Sequence, residues 1–415
     1  MNINTINWKR VGIVGGVVLL LVLLVVFLFI KLGGGQSTST GGGLFGAAGT
    51  RTVSGTAAPT DGDTSGGGSA SGSAVPIIFK IADGPVASAT FFQTANPTTT
   101  LARYVMQDNG HVFDMPMDVP GAAARVISNV TIPGIAGAQW EKQASAAVGQ
   151  YVDSGIMKTI YLGFPAASST ATTIQPPIIK FLPDGVTSFA LSPDGTQVAY
   201  LLASGATSVG YIAAFDGSKP VKTFSLPLTQ VLLSWPSPTI LLAQSKQASG
   251  VPGIAFSIQT KTGAVQPLLY TTGLSANANV DFSKVLYQTI AADSSSRQVY
   301  AHDVTSGGDT ALSFQPAPER CIWSPISNVV VYCAVPLQYV PPNYMDLWHQ
   351  GTASAPDNIV GYNLNTRVSV VVAGPGGTDG GVRSNIAGMA ISPDMRYLLF
   401  ITKNDRTLWG VRLMQ

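Results

Sequence analysis

Apolar and polar positions are arranged in three different ways along this chain. From 11 to 30 it reads VGIVGGVVLLLVLLVVFLFI, twenty residues without a charge. As a helix that run rises ~30 Å, the hydrocarbon thickness of a bilayer. From 33 to 74 it is Gly, Ser, Thr and Ala with scattered Pro and Asp, and Leu44, Phe45 and Val53 are the only large apolar side chains. From 75 onward, short apolar runs alternate with clusters of Gly, Pro, Asn and Asp, and no segment keeps a long helical period. That last pattern predicts an all-β domain.

These textures predict four parts: a cytoplasmic N-terminus at 1–10, a transmembrane helix at 11–32, a linker at 33–74 and a β domain at 75–415. Lys9 and Arg10 precede the apolar run and Lys31 follows it, a balance that places the N-terminus in the cytoplasm and the β domain outside it. A cleaved signal peptide is the competing reading. Its apolar core is typically ~7–15 residues and ends at a small-residue site. This run is longer, no cysteine follows it directly, and Ala47-Ala48 lies far beyond it. The linker composition buries too little surface to offset the entropy of ordering, so a disordered tether with a root-mean-square span of roughly 35–40 Å is expected.

Within the β domain a repeat emerges. FALSPDGTQVAYL at 189–201, MAISPDMRYLLFI at 389–401 and CIWSPISNVVVYC at 321–333 share two apolar residues, Ser-Pro, four turn residues and a β-rich run. An aromatic, Tyr200, Phe400 or Tyr332, holds a fixed place in that run. Proline presets φ and short polar side chains bond the local backbone, so each unit predicts a tight hairpin. Weaker copies lie at 231–244, 279–290, 138–152 and 87–107, and a third and a fourth apolar run follow most of them. Asn109-Gly110 between two such runs is a type I′ turn signal. Four strands per unit describe a β-propeller. Seven units from 75 to 415 average about 49 residues, near the ~40–50 of known blade repeats; six or eight units stay open. The last unit stops at its third strand, TLWGVRL, and PIIFKIAD at 76–83 supplies the missing outer strand. That pairing closes the ring and leaves no open edge there. The Ser192-Pro193-Asp194-Gly195 hairpin with its following Val-Ala-Tyr resembles the repeats of TolB-type propellers, relatives of WD-repeat propellers. The other copies depart from it: Met395 stands for the glycine, and Ile326-Ser327 replaces both acid and glycine. The resemblance implies the propeller fold and a tendency to bind protein or peptidoglycan-associated partners.

Charge narrows the function classes. Charged residues make up 11% and the net charge is +2, with no Lys/Arg run beyond two, so the basic stripe of a nucleic-acid binder is absent. Two cysteines and three histidines give no zinc spacing. Cys321 and Cys333 fall opposite each other on one expected hairpin, which predicts a structural disulfide in an exported domain; two buried free thiols are the alternative. No nucleophile elbow, zincin or P-loop motif occurs, and no cofactor is implied. The longest insertion, 334–358, holds Tyr339, Tyr344, Trp348 and His349. These are either anchors for a partner or rim packing, and Asp346 and His349 are near enough in sequence to interact. The expectation is therefore a single-pass, extracytoplasmic propeller of the cell envelope that binds a protein or polymer without catalysis. The lipid bilayer would be its contact through 11–30, and nucleic acid is not a partner. An envelope enzyme acting on glycans as a hydrolase or lyase through the central channel is the alternative, and a passive surface-layer component is a third reading.

Overall fold

The Ser-Pro-Asp-Gly unit folds as a turn held by its own side chains. In the computed structural model, which describes residues 77–413 except 95–97, 120, 166–174, 292, 294 and 375–384, Ser192 Oγ donates to Asp194 (2.5 Å) and accepts the amide of Gln197 (2.9 Å). Gly195 takes the left-handed conformation, φ 73°. Two degenerate copies keep this geometry, whereas the 321–333 copy makes a turn one residue longer, with the Ser324 amide on the Val330 carbonyl (2.9 Å) and no left-handed residue. Ser392 Oγ accepts the Tyr397 amide (2.9 Å), and Asn279 Oδ1 accepts the Lys284 amide (3.0 Å). Met395 and Phe282 stand at φ 60° and 59° where blade 3 has its glycine, although such conformations cost a side-chain-bearing residue ~1–2 kcal/mol. The segments expected to be anchor and linker lie outside the described residues, and among the described residues no helix is long and apolar enough to cross a membrane.

Seven four-stranded antiparallel sheets follow one another along the chain. Their first strands are Val86–Gln93, Ile135–Trp140, Val186–Leu191, Val231–Ser237, Ser275–Ala278, Cys321–Trp323 and Ile386–Ile391. In five of the seven neighbouring pairs the first strands touch one another, and in the other two the first strand of blade 5 touches the second strand of blade 4 and the short 3-10 turn that precedes blade 6, which makes the first strands the innermost strands of a seven-bladed propeller. Apolar packing is divided in the same way. Seven clusters each join two adjacent blades, for example Ala199, Leu201 and Phe224 of blade 3 with Leu233, Leu241 and Phe256 of blade 4. Second strands are therefore buried on both faces, Tyr397–Thr402 throughout, while the outermost strand Ile178–Phe181 is exposed throughout. The aromatic of the repeat stacks across the second and third strands: Tyr200 on Tyr211, Tyr104 on Phe113 and Tyr287 on Tyr300, each with centroids 5.4 Å apart.

The ring closes as the sequence predicts. Ile78–Ala82 pairs with Leu408–Arg412 and completes blade 7. One detail shows that this strand acts as a normal outermost strand. Phe79 lies opposite Gly410, as Phe224 lies opposite Gly210 in blade 3, and each ring fills the space above its glycine. The Asn109-Gly110 expectation needs correction. Only Gly110 is left-handed (φ 73°), the Gly110 amide bonds the Met106 carbonyl (3.0 Å), and the Met106 amide bonds the His111 carbonyl (2.9 Å). The connection is thus a longer loop rather than a two-residue type I′ turn, because the Asn109 side chain accepts the His111 amide (2.9 Å) and holds Asn109 out of the left-handed region.

At the junction of blades 7 and 1, the end carrying the first-to-second-strand turns has a polar latch. Asp394 accepts from Gln93 (2.9 Å), Thr100 (3.0 Å) and Arg396 (2.7 Å), and Asp118 accepts from Tyr397 (3.1 Å) and Arg396 (2.8 Å). Burial alone would raise the Asp394 carboxyl, but the hydrogen bonds from Ser392, Arg396 and Thr100 outweigh it and hold it well below the ordinary 3.8. A depressed folded value gives stabilisation that is complete above the unfolded value and is lost as pH falls through the folded one. We expect Asp394→Asn to cost about 1–3 kcal/mol at pH 7 and to flatten the fall in stability below pH 4. Denaturant titrations of both proteins from pH 7 to pH 2 check this, and parallel profiles would show that Asp394 carries none of the acid sensitivity. Gly410→Val should cost about 1–3 kcal/mol by overpacking, since a Cβ there meets Phe79 at 2.6 Å. Hydrogen exchange would show lost protection centred on Ile78–Ala82.

Candidate functional site

Each innermost strand has one edge facing the channel side, where its backbone groups find no strand partner and must be satisfied otherwise. The preceding blade supplies a side chain in each of the seven cases. Arg406 donates to the Val86 (3.1 Å) and Ala87 (2.9 Å) carbonyls, and Ser88 to Ala138 (2.6 Å). Gln139 donates to Phe189 (3.1 Å) and accepts from Leu191 (3.2 Å), while Ser188 accepts from Leu233 (2.9 Å). Gln244 clasps Ala276 by both its amide and its carbonyl (2.7 and 2.8 Å). Asn277 donates to Cys321 (2.7 Å) and Arg320 to Ile386 (2.9 Å). The wall so built carries no Asp, Glu, His, Lys or Arg in any of its seven innermost strands.

Ionisable groups gather at the other end of the propeller from the latch, under the 337–356 insertion between the second and third strands of blade 6. Here a short helix, Tyr344–His349, packs Tyr344, Met345 and Trp348 with Ala317 and Ala355. Beneath it Arg320 and Asp357 form a fully buried ion pair. Asp357 also accepts the Ile386 amide (2.8 Å), and its other oxygen has no partner among the described residues. Burial raises the Asp357 carboxyl against the opposing pull of Arg320. Trp348 Nε1 donates to Asn385 (2.7 Å), and the Lys403 ammonium sits 3.4 Å from the centre of the Trp348 ring and bonds its carbonyl. Burial, then the charge of Arg320, lowers Lys403.

The four aromatic candidates thus separate. Tyr344 and Trp348 are 3% and 7% exposed and hold the insertion down, whereas Tyr339 is 86% exposed. His349 stacks edge-on against Trp348 and places Nε2 3.0 Å from Glu319. Asp346 does not meet His349. It accepts the Ser249 amide (3.0 Å) and ties the insertion to blade 4. Cys321 and Cys333 lie directly opposite in register and their sulfurs are bonded. Sequence reasoning missed Arg297, Arg320, Asp357 and Lys403. For Arg297 and Asp357 the hint was the chain's low charge, which makes a charged residue inside a strand run noteworthy; Arg320 and Lys403 lie just outside strands and carried no such signal. Among the described residues no group of three or more His, Cys, Asp or Glu is placed to hold a metal ion.

No protein-family model matches the chain, and no curated protein matches its sequence. Solved structures do match. An oligogalacturonate lyase in complex with manganese aligns over 81% of this chain and 99% of its own at TM-score 0.51 and 10% identity. A chain of the mitotic checkpoint complex aligns over 83% and 96% at TM-score 0.50 and 11% identity. The β-propeller domain of the Trilobed protease from Pyrococcus furiosus aligns over 62% and 75% at TM-score 0.40 and 13% identity. At these identities the likeness is one of fold.

Releasing the insertion from blade 4 should loosen it without unfolding the ring. Asp346→Ala is expected to cost about 1–2 kcal/mol through the unpaired Ser249 amide and to raise proteolytic nicking within 337–356. A digestion pattern identical to the parent protein's would remove the tie from the account.

Proposed function

We propose that the protein is a non-catalytic binding or scaffold module of the cell envelope. An anchor at 11–30 and the 33–74 linker carry the propeller outside the cytoplasm, where it engages a protein or polymer partner near the bilayer. The observation that supports this reading over an enzyme is the channel wall: its innermost strands carry no ionisable side chain. General acid–base catalysis needs a titratable group within hydrogen-bond reach of the reacting atom, and glycoside cleavage uses a pair of carboxylates. Apart from Arg320 and Arg406, whose guanidinium groups are spent on backbone carbonyls, the wall is made of neutral side chains that offer shape and neutral hydrogen bonds. The alternative, a glycan-active hydrolase or lyase with its site in the channel, would have to draw its acid and base from the loops at the ends. The fold likeness to an oligogalacturonate lyase adds no such group.

Contact is proposed at the end bearing the insertion, where Tyr339 stands clear of the surface. A large amphipathic ring with few rotatable bonds is a favoured anchor at interfaces. A photo-crosslinking amino acid at Gln338 in the full chain, expressed in intact cells, tests this. One reproducible adduct that Tyr339→Ala reduces at least tenfold is the expected result. No adduct, or sustained turnover of an envelope glycan by the purified protein, overturns the reading.

A further inference from the structure

Between blades 5 and 6, on the outer side of the insertion, lies a cleft of about 440 Å³ whose lining includes Ser295, Arg297, Gln315, Pro336, Gln338 and Tyr339. Arg297 is its distinctive member. Its side chain is partly buried and donates to the Gln315 carbonyl (2.6 Å), and among the described residues no carboxylate pairs with it. Glu319, the acid whose charge it feels, is engaged by His349, and Arg320 adds a second positive charge nearby. Burial, then the Arg320 charge, lowers Arg297. A guanidinium cannot escape by losing its proton, since it stays charged at any physiological pH. The cleft therefore holds a fixed, partly buried positive charge with room beside it. In a chain so poor in charge, that arrangement is expensive unless an anion shares it. The fork of a guanidinium matches a carboxylate with two parallel hydrogen bonds.

The rest of the lining narrows the class of anion. Gln338 offers a neutral donor and acceptor, the Ser295 hydroxyl, which donates to Asp293 (2.6 Å), can still accept, and Gln315 Oε1 is buried with no partner among the described residues. The Tyr339 ring and Pro336 offer flat apolar faces. Hydroxyls, a carboxylate and a face of C–H groups on one ring describe an acidic sugar. The volume falls within the ordinary range for small-ligand pockets. We propose that this cleft is a binding site for a uronic-acid residue of an acidic polysaccharide, with Arg297 on the carboxylate and Tyr339 against the sugar ring. The inference rests on the binding-module reading and names the polymer class such a module would hold.

Titration calorimetry of the full chain with a tetramer of glucuronic acid tests it, run beside the same tetramer as its methyl ester and beside inorganic phosphate. The acid should bind saturably, and the ester and phosphate at least tenfold more weakly. Arg297→Gln should reduce acid binding at least tenfold. Tyr339→Ala, at a position too exposed to matter for folding, should reduce it severalfold and leave the melting temperature unchanged. Absence of binding by the acid overturns the proposal, as does binding that neither substitution alters. Equal binding of the ester removes the carboxylate contact, and equal binding of phosphate removes the sugar. Either failure with the Gln338 adduct still present leaves the binding-module reading standing, whereas loss of the adduct with sugar binding intact counts against the protein-contact site alone.

Discussion

A propeller blade can satisfy three of its strands by pairing, but the channel-side edge of its innermost strand has no partner in its own sheet. Leaving a buried backbone group unmade costs about 1–3 kcal/mol, more than the 0.5–1.5 kcal/mol that a made bond contributes net. Seven such edges, each left open, would consume the whole stability of an ordinary domain, 5–15 kcal/mol. The rest of the architecture answers this requirement. Arg406, Ser88, Gln139, Ser188, Gln244, Asn277 and Arg320 each reach from one blade to the innermost strand of the next. Because every bond runs to the following blade, the same groups that satisfy the edges also set the angle between blades. The seven apolar clusters lie between blades for the same reason. Neither a blade nor its core is complete alone, and the ring has to close.

Five of those seven side chains are neutral. A neutral amide or hydroxyl can bond a carbonyl or an amide inside a crowded wall without the desolvation cost of a charge. The two exceptions, Arg320 and Arg406, serve blades 7 and 1, the blades that flank the closure. Arg320 is neutralised by buried Asp357. Arg406 bonds two consecutive carbonyls and is lowered by its burial. The innermost strands themselves thus carry no charge, and the two arginines that reach them are spent on backbone carbonyls. The structural demand on the wall and the absence of Asp, Glu, His, Lys and Arg from its innermost strands are one fact seen from two sides.

Much of this fold was legible in the chain. The Ser-Pro turns, the aromatic that follows them and the third and fourth apolar runs marked the strands, because a strand buried on both faces must be nearly continuous in apolar residues. PIIFKIAD was recognisable as the closing strand because blade 7 lacked one. The Phe79–Gly410 pair, mirrored by Phe224–Gly210, is a further signal that a search for aromatic–glycine pairs between third and fourth runs would find. The joints between blades were not legible. Gln139 and Gln244 look like ordinary strand polars, and nothing local says which carbonyl, some fifty or thirty residues on, they will meet. Asn109-Gly110 misled for a related reason, since the side chain of Asn109 bonds the next-but-one amide and selects another turn.

The insertion shows the same limit at the candidate site. Composition put Tyr339, Tyr344, Trp348 and His349 together as possible anchors, but aromatic type does not say which rings face inward. The helix decides it. Tyr344 and Trp348 are four apart and share a face, so one of them cannot be buried on the domain while the other points to solvent. Met345, beside Tyr344, is buried with them, and the remaining faces carry Asp346 to blade 4 and His349 to Glu319. Most side chains that fix the insertion come from the helix, joined by Val340, Ser354 and Ala355, and Tyr339 precedes it in a segment broken by Pro341 and Pro342. The segment is held at both ends yet its tyrosine packs on nothing in the core, which is the arrangement a recognition loop needs: a pinned backbone presenting an unspent ring beside the Arg297 cleft.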